Sequence, residues 1–130
     1  MRRQRQWTAA ILIASTALFA ACGSGVEGNL SSAKGHIDKR DFKAATVELK
    51  ALLQENPGSG EGRFLLGRAL LETGDLAGAE AELNRALESK YSEEAVAPLL
   101  AKAWVGMRQH QKLIDRYGKF EVADVAAAVE

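Results

Sequence analysis

The feature that most constrains this chain is its self-similarity at a spacing of 34 residues. Shifted by that amount, Asp41-Phe42 falls on Asp75-Leu76, Ala45 on Ala79, Leu49 on Leu83 and Leu53 on Leu87. The next shift places Leu66-Gly67 on Leu100-Ala101, Leu70 on Trp104 and Leu83 on Tyr117. A period of this length means that one supersecondary unit recurs and that each copy buries its apolar face against its neighbours. The middle copy shows what the unit is. Residues 60–72 carry apolar side chains at helical spacing, and Leu76, Ala79, Leu83, Ala86 and Leu87 form the apolar stripe of a second helix. Between them Gly74 suits the positive φ of a helix C-terminus and Asp75 suits an N-cap. The spacing predicts helices near 27–38, 42–55, 61–72, 76–89, 93–107 and 110–119, an all-α chain of helical hairpins. Pro98 either starts the fifth helix late or bends it.

These hairpins resemble the tetratricopeptide repeat (TPR). Leu66 and Gly67 stand where that family has Leu-Gly, Leu70 takes its Tyr position, and Ala79 and Ala86 match its two alanines with Leu83 between them. The first copy keeps Phe42, Ala45, Leu49 and Pro57, with Ser32 and Ala33 in place of Leu-Gly. The third keeps Leu100, Ala101, Trp104 and Tyr117, with Leu113 in place of the alanine. The resemblance implies a TPR helix-turn-helix solenoid of about three repeats, 26–59, 60–93 and 94–127, in a domain spanning 26–120. Three repeats are about the minimum for stability, so the array reads either as a minimal module or as part of a longer one. Residues 121–130 are Ala/Val-rich and read as a capping or truncated helix. Gly67 in a helix interior costs about 1 kcal/mol against Ala. The expected offset is a close helix crossing at which it faces Ala79, so that Gly67→Leu overpacks the site by about 1–3 kcal/mol.

Ahead of the repeats lies a segment of a different kind. Arg2, Arg3 and Arg5 form a charged start, Trp7 to Ala21 carries no charge, and small residues lead into Cys22, the only cysteine. This is the order of a secretory signal. Its fifteen uncharged residues reach about 22 Å as a helix, short of a hydrocarbon core of roughly 30 Å. Leu18-Phe19-Ala20-Ala21-Cys22 resembles the bacterial lipobox. That resemblance implies a lipoprotein signal peptide over 1–21, lipidation of Cys22 and a tether over 22–25, because several acyl chains on one sulfur anchor stably. It also implies a place on the periplasmic side of the outer membrane, with the inner membrane as the alternative. Without the three leading arginines, 14 basic residues face 17 acidic ones, a net charge of −3. That balance argues against nucleic acid as a partner, since its phosphates need clustered Lys and Arg.

Nothing in the residues assembles catalysis, and no cofactor is implied. His36 and His110 fall in different repeats without metal-ligand spacing, Gly58-Ser59-Gly60 reads as an inter-repeat turn, and Glu80/Glu82 and Glu93/Glu94 read as solvated faces or helix starts. Trp104, Tyr117, Phe42 and Phe120 fall in register with the core. Binding is the better-supported class. The resemblance places an extended peptide or a segment of an envelope protein in a groove lined by the first helices of each repeat. The period then gives three rows: Leu30, Phe64 and Pro98; Lys34, Arg68 and Lys102; Ile37, Leu71 and Val105. A basic ladder between apolar rows suits an acidic segment or a terminal carboxylate. The alternative is that these cations pair with neighbouring Glu.

A closer resemblance lies in Ala86-Leu87-Glu88, Tyr91, the run Val96 to Trp104 and the run Gln109 to Asp115, taken with the lipobox. Together they look like the N-terminal part of the TPR lipoproteins that accompany exosortase/PEP-CTERM exopolysaccharide systems. This implies a non-catalytic scaffold for exopolysaccharide or PEP-CTERM protein export or assembly. Two other readings stand beside it: a general outer-membrane or pilus-biogenesis TPR lipoprotein, and an adaptor for a periplasmic glycan-active enzyme.

Overall fold

A computed structural model describes residues 24–118. The signal peptide, Cys22, Phe120 and the segment 121–130 lie outside the described residues. Six helices follow in order: α1 (Ser24–Asp38), α2 (Phe42–Glu55), α3 (Gly60–Thr73), α4 (Leu76–Glu88), α5 (Glu93–Gly106) and α6 (His110–Tyr117). Among the described residues there is no strand. Each helix packs on the next, and α3 also touches α1 and α5. The odd-numbered helices therefore share a face, and the fold is an all-α TPR solenoid of three hairpins.

The helix boundaries follow local chemistry. Asp41, Ser59, Asp75 and Ser92 each accept a hydrogen bond from the backbone N–H three residues on, at 3.2, 3.0, 2.9 and 3.2 Å, which satisfies a donor the first turn cannot. Gln109, at the equivalent place before α6, makes no such bond. The helix ends show a second regularity. Gly74 has φ +87°, and Arg40 and Arg108, its equivalents 34 residues either side, have φ 59° and 58°. Asp41 donates to the His36 carbonyl and Arg40 to that of Ile37; the pattern recurs at Asp75/Gly74 and at Gln109/Arg108. These paired bonds are Schellman motifs, and Lys90, with φ 60°, closes α4 in the same way.

Two expectations need correction. The tether read over 22–25 is cut short, because α1 already includes Ser24 and Gly25. Once Ala33 and Ile37 are buried in the core the nucleus exists, and each residue added towards the N-terminus gains a bond at small cost. Pro98 does not delay α5, which starts at Glu93 and carries the proline within it.

The core runs through all three hairpins. Ala45, Leu49, Ala79, Leu83, Ala86 and Leu100 are fully buried. At Gly67, a Cβ would stand 2.7 Å from the Leu83 Cγ and 3.4 Å from the Ala79 carbonyl oxygen. The side chain that fills the space left by Gly67 is therefore that of Leu83, and Ala79 contributes its backbone. Gly35 is a contrasting case. A Cβ there meets nothing within 4 Å, and the equivalent residues are Ala69 and Ala103. Gly35→Ala is expected to raise stability by about 0.5–1 kcal/mol, read as a higher urea midpoint at unchanged slope. A lowered midpoint would show that this glycine serves the backbone after all.

Candidate binding face

The face shared by α1, α3 and α5 carries the predicted rows, each contributing one residue per helix. Leu30, Phe64 and Pro98 are half-buried, and Phe64 stacks on Tyr91, from the α4–α5 connection, with ring centroids 4.9 Å apart. That partnership was not legible in the period, because Tyr91 lies outside the first helices.

The basic row is less free than its spacing suggests. Lys34 Nζ lies 2.7 Å from Glu61 Oε1 and Lys102 Nζ lies 3.1 Å from Glu72 Oε1, so both outer cations are tied to carboxylates of α3. The hydrogen bond and charge of Glu61 hold the Lys34 ammonium above its ordinary pKa. Arg68, between them, is exposed and makes no ion pair within the described residues. The period supplies a reason: Glu61 reaches Lys34 of the preceding repeat, while the residue equivalent to Glu61 in the next repeat is Ala95.

The third row requires correction. Ile37 and Leu71 are only 3% and 6% exposed and belong to the hydrophobic core, whereas Val105 is 39% exposed. Ile37 and Leu71 offer no surface to a ligand. A repeat period identifies equivalent positions but does not say which way they face, and these two face inward.

Elsewhere the carboxylates read as solvated are structural. Glu82 accepts from Arg63 Nη1 at 2.8 Å and from Arg85 Nη1 at 2.6 Å. Arg63 also donates from Nε and Nη2 to the Pro57 carbonyl, at 3.1 and 2.7 Å. One guanidinium thereby joins the α2–α3 turn to α4, and such charge-assisted, forked bonds are the strong kind. Glu80 Oε1 accepts from Trp104 Nε1 at 2.8 Å and from Lys112 Nζ at 2.7 Å, linking α4 to both helices of the following hairpin. Glu93 and Glu94 do sit in the first turn of α5, where the helix dipole favours them.

His36 is half-buried, 3.6 Å from Asp41 Oδ2 through Nδ1 and 3.4 Å from Glu48 Oε1 through Nε2, and Ser32 donates to that same Glu48 oxygen at 3.0 Å. The two carboxylates meet opposite ring nitrogens, which suits a link between α1 and α2 rather than a shared ion. Among the described residues no group of three or more His, Cys, Asp or Glu side chains is placed to hold a metal. The chemistry on offer at the odd-helix face is recognition: one unpaired guanidinium, a stacked aromatic pair one helical turn away and flanking apolar surface.

A family model described as tetratricopeptide repeat matches residues 36–103. No curated protein matches the chain.

Proposed function

The chain belongs to the tetratricopeptide repeat family, whose repeats generally mediate protein–protein interaction, and on that premise we propose that it is a non-catalytic scaffold held at the bacterial envelope. Its anchor is a lipid on Cys22, and its binding face is the surface shared by α1, α3 and α5. The observation that carries the binding reading is Arg68: an exposed guanidinium without an ion-pair partner, one turn along α3 from the Phe64–Tyr91 stack. An extended protein segment with a carboxylate for Arg68 and an apolar side chain for the row of Leu30, Phe64 and Pro98 suits that surface. Lys34 and Lys102 take part only by exchanging Glu61 and Glu72 for the ligand, which makes them weaker contributors than Arg68. The N-terminal lipobox and the resemblance to exosortase-associated lipoproteins support a role in exopolysaccharide or PEP-CTERM protein export or assembly, from the periplasmic side of the outer membrane.

The test is a crosslinked pull-down from envelope membranes with the full-length chain, beside Arg68→Glu and Cys22→Ser. The expected result has three parts. The wild type captures an envelope protein, Arg68→Glu loses it while keeping a native circular dichroism spectrum, and Cys22→Ser leaves the membrane fraction. Equal capture by wild type and Arg68→Glu would overturn the binding face. Membrane retention of Cys22→Ser would overturn the anchor. The identity of the captured protein separates export of exopolysaccharide from pilus or outer-membrane biogenesis and from a glycan-active enzyme.

A further inference from the structure

The outer edge of the last hairpin differs from the corresponding edges of the other two. Ile37, Leu71 and Val105 are equivalent by the period, yet they are 3%, 6% and 39% exposed. Glu80, on α4, reaches forward to Trp104 and Lys112 of the following hairpin. Its equivalent on α6 is Ile114, which is 59% exposed. The places that meet the next hairpin elsewhere in the solenoid are thus occupied on α5 and α6 by two open aliphatic side chains. Among the described residues nothing covers them.

The sequence after α6 has the properties such a cover requires. Four residues, 56–59, separate α2 from α3, and four, 89–92, separate α4 from α5. Four residues after Tyr117 lead to Val122. From there Val122, Val125, Ala126 and Val129 recur at i, i+3, i+4 and i+7, the spacing of one helical face, with Glu121, Asp124 and Glu130 off that stripe. The buried residues of the first helices have related spacing: Gly62, Leu66 and Ala69 on α3, and Val96, Leu100 and Ala103 on α5, at i, i+4 and i+7. Val122, Ala126 and Val129 reproduce it.

We propose that the occupant of the edge formed by Val105 and Ile114 is the chain's own segment 122–130, docked as a further first-type helix with its valine stripe against α5 and α6. Such an edge needs a cover because a solenoid end that displays apolar residues invites association, and terminal units therefore present a polar outer face. Glu121, Asp124 and Glu130 supply charge for that outer side.

Amide hydrogen exchange on the full-length chain, beside the double variant Val105→Lys/Ile114→Lys, is the experiment. The wild type is expected to protect the amides of residues 125–129 by roughly tenfold or more over free-chain rates, as for a docked helix. The double variant is expected to lose that protection while α1–α4 keep theirs. Free-chain exchange at 125–129 in the wild type would overturn the proposal. So would protection that survives the double variant, since the segment would then be covered elsewhere. Protection that appears only as concentration rises would overturn it in favour of a second copy of the chain on the same edge. To separate docking from mere helix formation, Val125→Asp should expose α5 and α6 amides to faster exchange; if it leaves them unchanged, the segment does not cover this edge.

Discussion

Leu83→Ala is expected to lower the free energy of unfolding by about 2.5–5 kcal/mol, the range for removing a buried leucine where the surroundings relax only partly. Domains of this size have about 5–15 kcal/mol in total, so the variant should unfold at least roughly 10 °C lower. The reason is specific to the crossing of α3 and α4. Leu83 is fully buried, and the absent side chain of Gly67 is what admits it, since a Cβ there would stand 2.7 Å from its Cγ. That arrangement predicts a reversal of sign. In the wild type, Gly67→Ala gains about 1 kcal/mol of helix propensity but must displace Leu83, for a net loss of about 1 kcal/mol. In the Leu83→Ala background the obstacle is gone, and the same substitution should stabilise by about 0.5–1 kcal/mol. A double-mutant cycle by urea denaturation measures the coupling. Additive losses would mean that the glycine serves the helix in some way other than by admitting Leu83.

The architecture was legible because it is carried by periodic, local signals. A spacing of 34 residues marks Ala45 and Ala79 as equivalent, and capping residues such as Asp41, Ser59, Asp75 and Ser92 punctuate the helices, so the expected helix boundaries lie within three residues of those observed. Positions that need φ above zero were legible only where glycine occupies them. Gly74 announces its turn, while Arg40, Lys90 and Arg108 adopt the same left-handed backbone with side chains that give no hint of it. There the Schellman bonds and the packing of the next helix outweigh a local cost of roughly 1 kcal/mol.

The binding face was legible in outline and misjudged in detail for a physical reason. A period fixes equivalence between repeats, whereas exposure and pairing depend on contacts between residues far apart in sequence. Lys34 meets Glu61 and Lys102 meets Glu72 across neighbouring helices, at separations no helical i, i+4 rule reaches. The same applies to Ile37 and Leu71, which belong to the core, and to Glu80 and Glu82, which look solvated in sequence but join helices.

Trp104→Ala should cost about 3–5 kcal/mol, and the loss should be concentrated at one end of the solenoid. Trp104 is buried, its ring lies 6.1 Å from that of Tyr117, and its Nε1–H donates to Glu80. The helix that depends on it, α6, has eight residues and no side-chain N-cap. Isolated helices of that length are not stable in water, so α6 is held by tertiary contacts, and hydrogen exchange should show it released while α1–α4 keep their protection. Trp104→Phe separates the two contributions, because it keeps an aromatic ring and removes the hydrogen bond, for an expected loss of about 1–2 kcal/mol. The acceptor adds a pH dependence. Burial pushes the Glu80 carboxyl up, but the bonds from Lys112 and Trp104 together with the Lys112 charge outweigh it and hold the group below the usual value of 4.5. A carboxylate with a depressed folded pKa contributes its stability above the unfolded value and loses it as pH falls through the folded one. Release of α6 should therefore grow as acid is added below pH 4.5, and Glu80→Gln should flatten that dependence at the cost of lower stability at neutral pH. Uniform loss of protection from α1 to α6 in Trp104→Ala would show instead that the three hairpins unfold as one unit and that this ring supports all of it.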